Sequence, residues 1–147
     1  MQLAPVDWAS FTIGGGTPLL LNVGQLSRLF RGVFDELQVD AQIFKAIETS
    51  PYDTTAEKVA LLRQLAVNRV SIGVQSFNDL ELATLHRRHS TKNAHRALEL
   101  LRTGNFPILN IDIIYGIPGQ TAASLLASLN QALDYQPDEL FLYPLYN

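Results

Sequence analysis

Short β-branched or apolar runs alternate along this chain with longer stretches of helical period, about five times in all. The run Ser10 to Ile13 predicts a first strand, halted at Gly14-Gly15-Gly16-Thr17-Pro18. Leu26, Leu29, Phe30, Val33, Phe34 and Leu37 recur at three- and four-residue spacing and predict a helix from about Val23 to Leu37. A second strand is expected over Ala41 to Glu48, then a turn at Ser50 to Asp53. The helix after it opens with Thr54 and Glu57 at capping-box spacing and carries Val59, Leu62 and Ala66 as its apolar stripe. A third strand follows at Arg69 to Gln75, with two shorter helices after it, Asp79 to His86 and Thr91 to Thr103, the latter stopped by Gly104. The fourth strand spans Ile108 to Tyr115, the last helix Ala122 to Tyr135, and the fifth strand Leu140 to Leu145.

Strand starts recur roughly every 30 residues, the length of one βα unit, so an α/β fold of parallel strands with right-handed crossovers is expected. A closed eight-stranded barrel takes about 250 residues, whereas this chain has 147. The sequence therefore describes one domain, residues 1–147, that is either a partial (β/α) barrel of about five parallel units or an open doubly wound sheet. Either way its edge strands lack partners. The ending Phe141-Leu142-Tyr143-Pro144-Leu145-Tyr146-Asn147 still reads as strand and loop, so an incomplete core is expected. Its open edges would favour self-association or call for a missing N-terminal segment.

Strand parity separates two faces. Val70, Ile72 and Val74 oppose Ser71, Gly73 and Gln75, and Leu109, Ile111 and Ile113 oppose Ile108, Asn110, Asp112 and Ile114. A parallel strand covered on both faces reads as a continuous apolar run, so Glu48, Gln75, Asn110 and Asp112 are anomalies. All but Asn110 lie toward the C-terminal ends of their strands, where α/β folds bind ligands. The triple glycine ends the first strand on the same side; its free amides suit a carboxylate or phosphate, or else it is a tight turn. It is neither Gly-x-Gly-x-x-Gly nor a loop with a Walker lysine.

Charge and composition narrow the field. Eleven Lys plus Arg against 14 Asp plus Glu, a net charge of -3, give no general attraction to nucleic acid or to an anionic membrane. The apolar runs fall far short of the roughly 20 residues of a spanning helix, and no basic-then-apolar leader opens the chain, so a cytoplasmic location is expected. The absence of cysteine excludes thiolate nucleophiles, thiolate zinc sites and cysteine-held iron-sulfur clusters within this chain. The basic segment His86 to Lys92 offers an arginine fork to a carboxylate, or is a solvated connection between helices. His86 and His89 lack further metal ligands nearby in the sequence.

Three stretches, Thr12-Ile13-Gly14-Gly15-Gly16-Thr17-Pro18, Arg69 to Asn78 (RVSIGVQSFN) and Asn110 to Thr121 (NIDIIYGIPGQT), resemble the radical S-adenosylmethionine proteins of the oxygen-independent coproporphyrinogen III oxidase and haem-chaperone group. The resemblance spans nearly the whole chain and implies an arc of a (β/α)6 barrel with S-adenosylmethionine along its C-terminal strand edges. It implies that Gly14, Gly15, Gly16 and Thr17 hold the methionine end through backbone groups, that Glu48 and Gln75 also contact the cofactor, that Arg87 faces its carboxylate and that Asp112 faces its ribose. A porphyrinogen or haem is the implied substrate or cargo. The family's three cysteines, Cys-x3-Cys-x2-Cys, bind a four-iron four-sulfur cluster; this chain lacks them. It is therefore expected to be the cofactor-binding part of a longer radical enzyme or haem chaperone, inactive alone. The alternative is a non-catalytic adenosyl- or anion-binding α/β module or partner subunit.

Overall fold

The computed structural model describes residues 7–146. The elements are β1 (Ser10–Ile13), a 3-10 turn (Pro18–Leu20), α1 (Val23–Glu36), β2 (Phe44–Thr49), α2 (Ala56–Gln64), β3 (Arg69–Gln75), α3 (Asp79–Thr84), α4 (Thr91–Gly104), β4 (Ile108–Tyr115), α5 (Ala122–Leu133) and β5 (Glu139–Pro144). β3 and β4 have the bounds that their apolar runs predict. β2 starts later than expected, because Ala41 to Ile43 are taken up in a turn closed by an Ile43 N–H bond to the Asp40 carbonyl.

Helix starts follow local hydrogen-bond chemistry. Asn22 and Gln25 form a capping box on α1, Ser90 and Asn93 one on α4, and Thr121 and Ser124 one on α5. The box expected at Thr54 and Glu57 is not formed. Thr55 caps α2 by accepting from the Lys58 amide, while Thr54 is fully buried and its hydroxyl reaches the Ser50 carbonyl at 2.8 Å. Gly104 is likewise no helix stop. It is the last residue of α4, and Asn105 takes the left-handed conformation at φ 50°. Gly104 is needed for room instead, since a Cβ there would sit 2.6 Å from Phe106 and 2.9 Å from Val59. Ala66, expected on the α2 stripe, lies beyond that helix with φ 52°.

The five strands are all parallel, in the order β1-β2-β3-β4-β5. Each right-handed crossover thus steps in the same direction and leaves its helix on the same side. A doubly wound sheet would reverse direction, so the arc of a barrel is the architecture present. The core agrees: Ile47, Val70, Ile72, Val74, Leu109, Ile111 and Ile113 pack with Leu26, Phe30, Leu62, Leu98 and Leu101 on one face of the sheet. The opposite face is polar, and register aligns Glu48 with Ser71, Ser71 with Asn110, Gly73 with Asp112, and Asp112 with Phe141.

Candidate functional site

At the C-terminal ends of β2, β3 and β4 the polar face closes into a recess of about 110 Å³. Gly16, Thr17, Glu48, Gln75, Arg87 and Asp112 line it together with Ser71 and Gly73. Gly14 and Gly15 join through Glu48: the Gly15 amide donates to Glu48 Oε2 at 3.1 Å, and a Cβ on Gly14 would lie 2.7 Å from Glu48 Oε1. The eight positions singled out in the sequence therefore converge on one place.

Register explains the glycine loop. Ile13 pairs with Ile47, so the residue after β1 meets the Glu48 carboxylate, and any side chain there would push that carboxylate from its place. Gly15 and Gly16 follow with φ of 77° and 76°, a pair of left-handed residues that glycine alone adopts readily. Nothing stands within 4 Å of where their side chains would be, so a conformational need and not crowding accounts for glycine at these two positions.

The end of β3 is irregular. Pairing with β4 slips between Gly73 and Gln75, and Gln75 takes φ 71°. Its side chain returns over Gly73, where a Cβ would lie 2.5 Å from Gln75 Nε2 and 3.6 Å from Arg87 Nη2. Arg87 as a residue is exposed; burial on its inner side lowers its pKa from a very high ordinary value, which leaves it charged at neutral pH. His86 and Arg88 are exposed too, Arg88 stacking over Tyr52 at 4.9 Å, whereas His89 is buried with Nε2 at 3.0 Å from the Val74 carbonyl. The basic segment is thus solvated along its outer side and anchored on its inner side. An adjoining hollow of about 310 Å³ shares Thr17, Ser50 and Arg87 with the recess.

On β4, Asp112 accepts a bond from Asn110 Nδ2 at 2.7 Å. Burial raises the Asp112 pKa, and the nearby Glu48 charge adds to that effect against the Asn110 bond. Two buried polar atoms on this face have no partner among the described residues, Ser71 Oγ and Asn110 Oδ1. In the sequence Ser71 is placed by parity alone and His89 is weighed only as a metal ligand beside His86. Parity put Ser71 on the right face, but no signal in the sequence marked its hydroxyl as unpaired, and none marked His89 as buried. Below Asp112, Arg69 pairs with Glu139 at 2.7 Å and lies over Phe141.

A larger hollow, about 430 Å³, lies at the opposite strand ends, among Phe30, Phe34, Ala41, Lys45 and Ala66. Its lining carries Gln42 and Gln64 but none of the acids that converge in the smaller recess. Among the described residues no group of three or more His, Cys, Asp or Glu can hold a metal ion, and no helix is long and apolar enough to cross a membrane.

Comparison with known proteins fits this geometry. Residues 2–132 match the model of the radical SAM superfamily. The heme chaperone HemW of Bacillus subtilis (strain 168) is 35% identical over 95% of this chain and 37% of its own length. The oxygen-independent coproporphyrinogen III oxidase of Escherichia coli (strain K12) is 34% identical over 88% of this chain and 28% of its length. The solved structure of coproporphyrinogen III oxidase (HemN) from Escherichia coli, described as a radical SAM enzyme, superposes with a TM-score of 0.85 at 32% identity, covering 92% of this chain and 31% of that one. The chain thus spans about a third of the length of the curated relatives it matches. On its family match, its parallel sheet and these relatives, the chain belongs to the radical SAM superfamily, among homologues of HemW and the oxygen-independent coproporphyrinogen III oxidases.

Proposed function

We propose that the recess binds S-adenosylmethionine, and that this chain is the cofactor-binding arc of a protein acting on a porphyrinogen or haem in the cytoplasm. The observation that carries the reading is the convergence of the glycine loop, Glu48, Gln75, Arg87 and Asp112 on one recess. Each group has a chemical counterpart in the cofactor. Glu48 and the loop backbone suit its ammonium, Arg87 its carboxylate, and Asp112 and Gln75 its ribose hydroxyls. The unpaired Ser71 Oγ leaves one more polar contact for a ligand to satisfy.

When bound, the cofactor supplies the adenosyl group of the family's chemistry. The chain's residues orient it and leave its methionine end toward the glycine loop. The four-iron four-sulfur cluster does not fit the donors present, because the sequence contains no cysteine. No step is assigned to a cluster here, and the chain alone is proposed to bind the cofactor without cleaving it. A plain phosphate site is the weaker reading, since Glu48 and Asp112 would both repel a phosphate.

A thermal-shift comparison separates the two readings. S-adenosylhomocysteine at a hundredfold excess over Kd should raise the midpoint by roughly 5–10 °C, through binding to the native state alone. Inorganic phosphate should do nothing. A rise with phosphate and none with S-adenosylhomocysteine would overturn the proposal.

A further inference from the structure

Two of the proposed cofactor contacts, Gln75 and Arg87, sit on irregular backbone: Gln75 lies at the slip that ends β3, and Arg87 follows the left-handed His86, its own amide donating to the Leu82 carbonyl at 2.9 Å. Gln75 is the central residue of a turn in which the Ser76 amide donates to the Val74 carbonyl at 2.9 Å. With φ 71° at Gln75 this is a γ-turn of the rarer, strained form. Arg87 belongs to the short connection between α3 and α4, exposed on both sides of its position. Strain of this kind persists only where neighbouring structure imposes it.

One side chain ties the two segments together. His89, two residues after Arg87, is 6% exposed, and its Nε2 lies 3.0 Å from the Val74 carbonyl. A carbonyl only accepts, so Nε2 carries the proton. The same carbonyl already takes the γ-turn bond, so His89 is a second donor to the oxygen of Val74, the residue that the pairing of β3 with β4 skips. Burial lowers the His89 pKa, and the Arg87 charge lowers it further while the Val74 bond and Asp79 oppose this, so the ring is neutral at neutral pH.

We infer that His89 is a positioning residue: its Nε2–H bond to Val74 fixes the strained turn that lays Gln75 over Gly73, and the same bond holds the Arg87 connection beside it. The inference rests on the reading of the recess as the cofactor site, but the bond itself is testable without ligand.

Nitrogen-15 NMR of the 147-residue chain provides the test, with His89→Leu removing the donor and His89→Gln keeping one at the Nε2 position. In the wild type the ring should be a neutral tautomer protonated at Nε2. In His89→Leu the backbone amides of Gly73, Gln75 and Arg87 should shift, and S-adenosylhomocysteine, measured by calorimetry, should bind about tenfold more weakly. His89→Gln should restore both the resonances and the affinity. Unmoved resonances in His89→Leu, or no rescue by His89→Gln, would overturn the inference. If His89→Leu fails to fold, the tautomer decides, and protonation at Nδ1 would be the contradicting result. Failure of the wild type to bind S-adenosylhomocysteine would count against the proposed function alone, because the ligand-free resonances still test the positioning bond.

Discussion

Asp112 sits where its charge costs stability. Burial raises its carboxyl pKa, so the folded chain holds that proton more tightly than the unfolded chain does. The stability this group contributes is present below the unfolded carboxylate pKa and is lost as pH rises through the raised folded value. Asp112→Asn should therefore raise the melting midpoint of the ligand-free chain by a few degrees at neutral pH. It should also weaken S-adenosylhomocysteine binding roughly tenfold, by putting an NH2 group where a carboxyl oxygen accepts. A variant that loses midpoint as well as affinity would count against a functional origin of the strain. Gly73 allows a second test. An alanine Cβ would meet Gln75 Nε2 at 2.5 Å, so Gly73→Ala should displace Gln75 and cost about tenfold in affinity, with little change in midpoint. The candidate residues themselves were legible in the sequence because acids and amides interrupt apolar runs. What joins them was not. The contact between Gly14 and Glu48 depends on strand register, and the return of Gln75 over Gly73 depends on a bulge that parity does not encode.

Among the elements, the ends of β3 and α5 are joined by a buried acid. Glu81, 3% exposed on α3, accepts bonds from Ser76 and Ser124 at 2.6 Å each and from Gln120 at 3.1 Å. Burial alone would raise its pKa, but the three donors outweigh it and the pKa is lowered. The sign is thus opposite to that of Asp112. The stability from Glu81 is present above the unfolded carboxylate pKa and is lost as pH falls through the lower folded value. Glu81→Ala should cost on the order of 2 kcal/mol in urea unfolding at pH 7 and flatten the loss of stability toward acid pH. An unchanged acid limb would contradict this assignment. The bounds of β3 and β4 were readable because their core-facing residues are uninterrupted β-branched or leucine side chains. Caps were less so: Thr54 has the spacing for one, but its hydroxyl is drawn into the Ser50 turn and Thr55 takes the role. Side-chain competition of that kind is decided by tertiary packing, not by spacing.

For the whole molecule, the roughly 30-residue period and the polar parity of one face pointed to a barrel arc or a doubly wound sheet, and the sequential strand order selects the arc. β1 and β5 are edges of this sheet, and on β5 Phe141, Leu142 and Tyr143 are 40%, 48% and 47% exposed. Such an edge is a template for another strand. The 147-residue chain should therefore associate with rising concentration in sedimentation velocity, and Leu142→Lys should reduce that association; a sharp monomer at all concentrations would contradict the prediction. The central claim concerns the recess, and a titration of the nitrogen-15-labelled chain with S-adenosylhomocysteine tests it most directly. Saturable shifts should gather at Gly14 to Thr17, Glu48, Gln75, Arg87 and Asp112. Shifts gathered at the groove beside Phe34 and Lys45, or none at any concentration, would contradict it.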